Sequence, residues 1–256
     1  MVEGHALPGR DRHLSPRAAP ALVETMLAVG GRVPWLERHL DRLAASAGAL
    51  GLRPVPGPAA AASVEAALAG EGSGPRRVRL VARPGRPVQV ESRPEPSLTG
   101  PVAAATAVTA RGAWDPADGH AEHKTTDRRR QDEARGAALA VGADFALLLD
   151  ADGRLGEACV ANAFCVLDGA LVTAPATGLL PGLARAAVLR RHPAREEALA
   201  ERGWRRADEV FLTNALRGVV PVTCVDGTPV GDGAVGPVTA ALAAGLAVEL
   251  GLVPAG

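Results

Sequence analysis

The chain has no tyrosine and a single lysine, and its 256 residues include only three phenylalanines, three tryptophans and three cysteines. Aromatic residues, at 2%, are too few for a base-stacking surface. The net charge is zero and the basic residues are scattered, so no basic stripe points to nucleic acid. Cys159, Cys165 and Cys224 show no metal-ligand spacing, and no metal site is expected. An odd, sparse set of cysteines fits a reducing compartment. The N-terminus is polar and rich in Pro and Arg, without the apolar stretch of a signal peptide. The longest apolar run, Ala240 to Val253, is interrupted by Glu249 and is too short to span a membrane. The expectation is a soluble, cytoplasmic protein with no nucleic-acid or membrane partner. Apolar residues, at 47%, are ample for a buried core.

The lone lysine is Lys124, against 27 arginines. Arginine carries charge and pairs with carboxylates, but it cannot lose its proton at accessible pH or form an imine with an aldehyde. Lysine can do both once desolvated or set beside another cation. The alternatives are a Schiff-base lysine and one surface lysine surviving in an arginine-biased chain.

Residues 1–20 show no periodicity and read as a loose arm. Leu22–Val29 reads as a strand. Pro34–Leu50 has apolar residues at helical spacing, with Pro34 suited to the first turn. A helix near Ala61–Ala69, a hairpin over Arg77–Ala82 and Val88–Glu91, and a strand over Val102–Thr109 complete a small α+β domain, 21–111. Residues 112–123 look like an interdomain linker. In 124–256, Asp127–Val141 reads as a helix and Phe145–Leu149 as a strand. Asn162–Leu167 and Leu171–Thr173 flank an Asp168-Gly169 hairpin turn. A helix opens after Leu180-Pro181-Gly182 and runs to Arg190, and Glu196–Glu201 reads as helical. Val210–Thr213 and Val219–Val225 are strands, and Val238–Leu250 is the closing helix.

The commonest aldehyde cofactor is pyridoxal phosphate, which asks for a lysine, a group facing the ring nitrogen and a phosphate cradle. Glu157 is a candidate for the ring nitrogen; taken alone it reads as a solvated turn glutamate. Leu180-Pro181-Gly182-Leu183-Ala184-Arg185 puts a glycine at a helix start, where free N–H groups and the dipole favour a phosphate. Thr213-Asn214-Ala215-Leu216-Arg217-Gly218 follows a strand and could supply further donors. Asn162 and Asn214 are the only asparagines, and both fall in these segments. His39 and Arg42 lie three apart on one helix face, so both can point at one site.

The succession of a strand with Glu-Thr, His-Leu-Asp-Arg-Leu, HKTT-x-R, Glu-x-x-x-Ala-Asn, TxPxxxLLPGxxR and FLTNxLRGVxPV resembles the fold-type IV pyridoxal-phosphate enzymes over about residues 21–225. These include branched-chain and D-amino-acid aminotransferases and aminodeoxychorismate lyase. The implied fold is α+β, D-amino-acid-aminotransferase-like, with a small N-terminal domain and a larger strand-rich cofactor domain. Within the family the chain is most similar to the lyase. HKTT-x-R at 123–128, Glu157-Ala158-Cys159-Val160-Ala161-Asn162, and Thr25 after Glu24 carry that likeness. The resemblance implies that Lys124 holds pyridoxal 5'-phosphate and moves protons, that Thr25 assists proton transfer, and that Glu157 faces the ring nitrogen. It implies that Arg42 and the backbone N–H groups of Leu183 and Ala184 bind the phosphate, with Asn214 and Ala215 on the second phosphate-side loop. It also implies a homodimer and a functional link to aminodeoxychorismate synthase. The chain departs from the pattern in lacking the family's N-terminal strand with its Gly-Asp-Gly approach, and in having no tyrosine, which transaminases of this fold commonly use. Arg83, Arg111 and Arg128 are candidate partners for substrate carboxylates. Three readings stand: the lyase, a class IV aminotransferase acting on D- or branched-chain amino acids, and a degenerate, non-catalytic cofactor-binding member.

Overall fold

A computed structural model describes residues 20–53, 55–98 and 104–253. The N-terminal arm, Pro20 excepted, lies outside the described residues. The chain divides into two compact units. The smaller comprises 20–53, 55–98, the short insert 123–127 and 247–253; the larger comprises 104–122 and 128–246.

The smaller unit is a three-stranded antiparallel sheet covered by two helices. Strand β1 (Leu22–Ala28) pairs with β2 (Arg76–Ala82), which pairs with β3 (Gln89–Pro94). Helices α1 (Leu36–Ala49) and α2 (Gly57–Leu68) lie on it. Leu22, Met26 and Ala28 lie on alternate positions of β1 and meet Leu43 and Ala47 of α1, Ala60 and Val64 of α2, and Val78 and Leu80 of β2. Leu43 and Ala47 sit four apart, so one α1 stripe is buried. Pro34 does not enter the first turn. Trp35 takes a left-handed conformation ahead of Leu36, and its indole N–H donates to Glu249 at 2.7 Å.

The larger unit is built on β4 (Ala105–Arg111), β5 (Phe145–Leu149), β6 (Leu155–Ala158), β7 (Ala161–Leu167), β8 (Ala170–Thr173), β9 (Ala194–Glu196), β10 (Glu209–Asn214), β11 (Gly218–Val225) and β12 (Thr228–Pro229). The order β10-β11-β4-β5-β6-β7 closes on itself through a β7–β10 pairing, forming a six-stranded barrel. Closure removes the exposed edges of the six strands. Leu147, Leu149, Ala163, Cys165, Val210, Leu212, Val220 and Val222 share one buried core. The alternate residues of β5, Ala146 and Leu148, face outward onto Ala134 and Ala138 of α3 (Arg129–Ala140). Residues 112–122 are tied down: Trp114 donates from its indole to the Gly178 carbonyl, and Glu122 accepts from the Gly178 N–H. Helices α4 (Leu183–Arg191), α5 (Glu201–Trp204) and α6 (Pro237–Glu249) follow.

Two local expectations are corrected. Glu196–Glu201 is not helical: Ala194–Glu196 is a strand paired in parallel with β8, the Glu197 N–H donates to the Thr173 carbonyl, and helix begins only at Glu201. Tertiary pairing has overridden a weak local preference. Glu157 does not sit in a solvated turn; it lies in β6 between β5 and β7 and is buried.

Candidate active site

In the smaller unit the site grows out of β1. Glu24 is the only charged residue in that strand's sequence and is 1% exposed. His39 and Arg42, one turn apart on α1, both reach it. The His39 Nδ1 stands 2.7 Å from Glu24 Oε2, while Arg42 donates from Nε to Oε1 at 2.9 Å and from a terminal nitrogen to Oε2 at 2.6 Å. Burial opposes ionisation of Glu24, but the His39 bond and the Arg42 charge outweigh it and hold its pKa at about 2. Burial holds His39 below its ordinary value, helped by the charges of Arg42 and Lys124, although Glu24 pulls the other way. His39 is therefore neutral near pH 7 and donates to a charged Glu24.

Lys124 belongs to a short segment laid against β1. Its carbonyl accepts from the Val23 N–H at 2.9 Å, the Thr126 N–H donates to the Ala21 carbonyl at 2.8 Å, and the Ala21 N–H donates to Thr126 Oγ1 at 3.1 Å. Leu22 and Thr125 form an antiparallel bridge. Facing residues in an antiparallel pair point to the same side, and side chains alternate along each strand. That register puts Lys124, Val23 and Thr25 on one face, opposite Leu22 and Thr125. Thr125 closes the segment by accepting from the Asp127 N–H, and His123 Nδ1 lies 3.2 Å from Ser46 Oγ on α1.

In the larger unit, three polar residues form a row across adjacent strands. Glu157 on β6 faces Asn162 on β7, which faces Thr213 on β10, and all three are buried. Asn162 donates to Glu157 Oε2 at 3.3 Å and to the Leu180 carbonyl at 2.9 Å. Thr213 Oγ1 is buried without a hydrogen-bond partner. Leu183 and Ala184 open α4, where N–H groups have no carbonyl one turn earlier. Arg185 anchors that first turn, donating to the Ala174 carbonyl at 3.0 Å and to Glu196 at 2.6 Å. Asn214 Oδ1 accepts from the N–H groups of Leu216 and Arg217, which shapes the turn that carries Ala215. Beneath the row, Phe164 and Phe211 stack with centroids 5.0 Å apart.

Sequence reasoning gave Glu24 no role of its own and named Thr213 only within a segment of possible donors. A lone acid in an apolar strand could have flagged the first; the second declares itself only as a buried, unpartnered hydroxyl. The arginines considered for substrate carboxylates each have a local partner. Arg83 donates to Gln89, Arg111 to Glu201, and Arg128 to the Cys159 carbonyl. Among the described residues, no group of His, Cys, Asp and Glu could hold a metal ion, and no helix is long and apolar enough to cross a membrane.

The chain belongs to the class IV amino-transferase family, whose pattern matches residues 21–225. Enzymes of this family depend on pyridoxal phosphate. The branched-chain-amino-acid aminotransferase of Escherichia coli (strain K12) is 38% identical over 99 residues, which is 36% of this chain and 32% of the relative. The match thus spans about a third of the length of that relative. A protein from Mesorhizobium loti described as an amino-acid aminotransferase superposes with a TM-score of 0.72 at 31% identity, covering 80% of this chain and 100% of the other. A protein assigned as 4-amino-4-deoxychorismate lyase from Legionella pneumophila shares the fold, with a TM-score of 0.77, 22% identity and coverage of 90% and 91%.

Proposed function

We propose that the chain is a pyridoxal-phosphate-dependent lyase that converts 4-amino-4-deoxychorismate to 4-aminobenzoate and pyruvate. The observation that carries the reading is the common face of Lys124 and Thr25, an amine on the short segment laid against β1 and a hydroxyl on β1 itself, in one unit. The lyase reaction needs two proton movements, one at the carbon bearing the substrate nitrogen and one at the departing enolpyruvate, and this pair has a group for each.

The donor set suits the cofactor. It offers one primary amine, a buried carboxylate, an uncapped helix start for an anion, and a buried hydroxyl with no partner. When bound, pyridoxal phosphate supplies an aldehyde for the substrate amine and an electron-withdrawing ring. Lys124 would hold the cofactor through its amine, and the same amine, when free, would serve as the base for the proton on the carbon bearing the substrate nitrogen. Glu157 would face the ring nitrogen and favour its protonated form. The Leu183 and Ala184 N–H groups and the Asn214-Ala215 loop would hold the phosphate, and Arg42 would supply a further cation for it. Loss of that proton and of the enolpyruvyl ether would leave the aromatic ring of 4-aminobenzoate, and Thr25 or Lys124 would return a proton to the departing enolpyruvate to give pyruvate. The smaller unit contributes a second device: Glu24, itself bonded to His39, accepts two hydrogen bonds from Arg42 and so orients its guanidinium.

A second reading, an aminotransferase, has its own support in the 38% identity to branched-chain aminotransferases. The two share the first proton abstraction and part at the next step. Purified protein given 4-amino-4-deoxychorismate should release 4-aminobenzoate and pyruvate in equal amounts without a keto acid derived from an amino donor. Turnover only with branched-chain or D-amino acids and 2-oxoglutarate would replace the lyase by the aminotransferase. No turnover of either kind would leave the non-catalytic reading. The proposal extends to a cytoplasmic homodimer that works downstream of aminodeoxychorismate synthase.

A further inference from the structure

Asn162 makes more polar contacts in the larger unit's row than catalysis asks of it. Its side-chain nitrogen carries two hydrogens, and both are used: one on Glu157 Oε2 at 3.3 Å, one on the Leu180 carbonyl at 2.9 Å. Leu180 is followed directly by Pro181 and by Gly182, the residue that caps α4, so this carbonyl lies at the entrance of the helix. The third contact is steric. A Cβ on Gly182 would land on Asn162 Oδ1, so the helix entrance can approach the amide this closely only because residue 182 has no side chain. Asn162 is 5% exposed, in a strand flanked on both sides, with Glu157 opposite on one neighbour and Thr213 on the other.

We propose that Asn162 is a positioning residue for the cofactor: its amide ties Glu157 to the entrance of α4 and so fixes the spacing between the carboxylate and the helix terminus that meet opposite ends of the bound group. The inference rests on the pyridoxal-phosphate reading. A serine offers one donor and cannot span both partners. An ionised aspartate offers none and places a like charge beside Glu157. The amide alone satisfies a carboxylate and a carbonyl at once while presenting an oxygen that needs no partner larger than glycine. Asn162 touches no reacting atom in this scheme; it acts through Glu157 and through the N–H groups of Leu183 and Ala184.

The test uses full-length protein, pyridoxal phosphate titrated by absorbance and by calorimetry, and hydrogen exchange of the Leu183–Ala184 amides without cofactor. The variants are Asn162→Ala, Gly182→Ala, Glu157→Gln and the double Asn162→Ala/Glu157→Gln. Loss of a buried hydrogen bond to a charged group should weaken cofactor binding about 10- to 100-fold in Asn162→Ala. Gly182→Ala, which displaces the amide without altering it, should weaken binding in the same direction. Both should speed exchange at Leu183 and Ala184 in the cofactor-free protein. In the Glu157→Gln background, Asn162→Ala should cost markedly less than alone, because the pair acts as one unit. Strictly additive losses, or unchanged affinity and unchanged exchange in either single variant, overturn the proposal. If Asn162→Ala does not fold, Gly182→Ala decides by the same two readouts. Failure of the parent protein to bind the cofactor through Lys124 would be a different result: it removes the functional reading itself, and the proposal with it.

Discussion

Substituting Glu24 by glutamine should destabilise the smaller unit by an amount that depends on pH. Glu24 is buried between His39 and Arg42, and its carboxyl is held at about 2 against an ordinary value of 4.5. At 1.36 kcal/mol per unit, that difference corresponds to about 3 kcal/mol of stability at neutral pH. Removal of one partner from a buried ion pair costs about 3–5 kcal/mol by general experience, so the two routes agree. The sign follows from the depressed value. The contribution is complete above 4.5 and is lost as pH falls toward 2, because the unfolded chain takes up its proton first. The gap between parent and Glu24→Gln should therefore be about 3 kcal/mol at pH 7, begin to close near pH 4.5, and shrink by up to about 1.4 kcal/mol for each further unit. His39 acts earlier: its value is lowered by burial, so stability falls as pH drops below 6.5. A His39→Asn background removes that slope from both curves. Hydrogen exchange read on peptides covering β1 and α1, corrected for intrinsic rates, reports opening of this unit directly. A gap under about 1 kcal/mol at pH 7, or one that stays constant from about pH 5 to 3, would refute the assignment of charge to Glu24.

Thr25→Val keeps shape and removes the hydroxyl; it should lower 4-aminobenzoate formation about 100-fold or more while leaving cofactor absorbance intact, as steady-state kinetics on cofactor-loaded protein would reveal. Phe164→Ala removes half of the Phe164–Phe211 stack from a fully buried position and should cost about 3–5 kcal/mol in urea unfolding. Gly156→Ala would put a Cβ 2.5 Å from the Trp114 ring, and a loss of about 1–3 kcal/mol in the same assay is expected.

Much of the secondary structure could be read from local pattern because local pattern is what formed it. The Asp168-Gly169 turn is such a case: both residues have positive φ, 51° and 74°, as a two-residue hairpin loop requires. The strand Phe145–Leu149 has the bounds expected of it. What escaped was set by partners distant in sequence. Strand β6 has four residues, one of them glycine, and is a strand because β5 and β7 supply its hydrogen bonds. Glu196–Glu201 looks helical in isolation, but Arg185 and the Thr173 carbonyl hold its start extended. The site divides in the same way. Lys124 stands out by count, and the helix start at Leu183 by its Pro-Gly lead. The Glu24 cluster required β1 and α1 to be packed before its acid could be paired. Asn162 was visible only as a rare residue type, since its two hydrogen bonds join segments 5 and 18 positions away.

The most direct test of the account reduces the cofactor-loaded protein with borohydride, digests it and locates the label by mass spectrometry. An imine at Lys124 leaves a stable phosphopyridoxyl group on the peptide that contains His123-Lys124-Thr125-Thr126, and none on Lys124→Ala protein; that is the expected result. Cofactor that binds yet leaves the Lys124 peptide unmodified would contradict the central claim that the chain's only lysine is its catalytic amine.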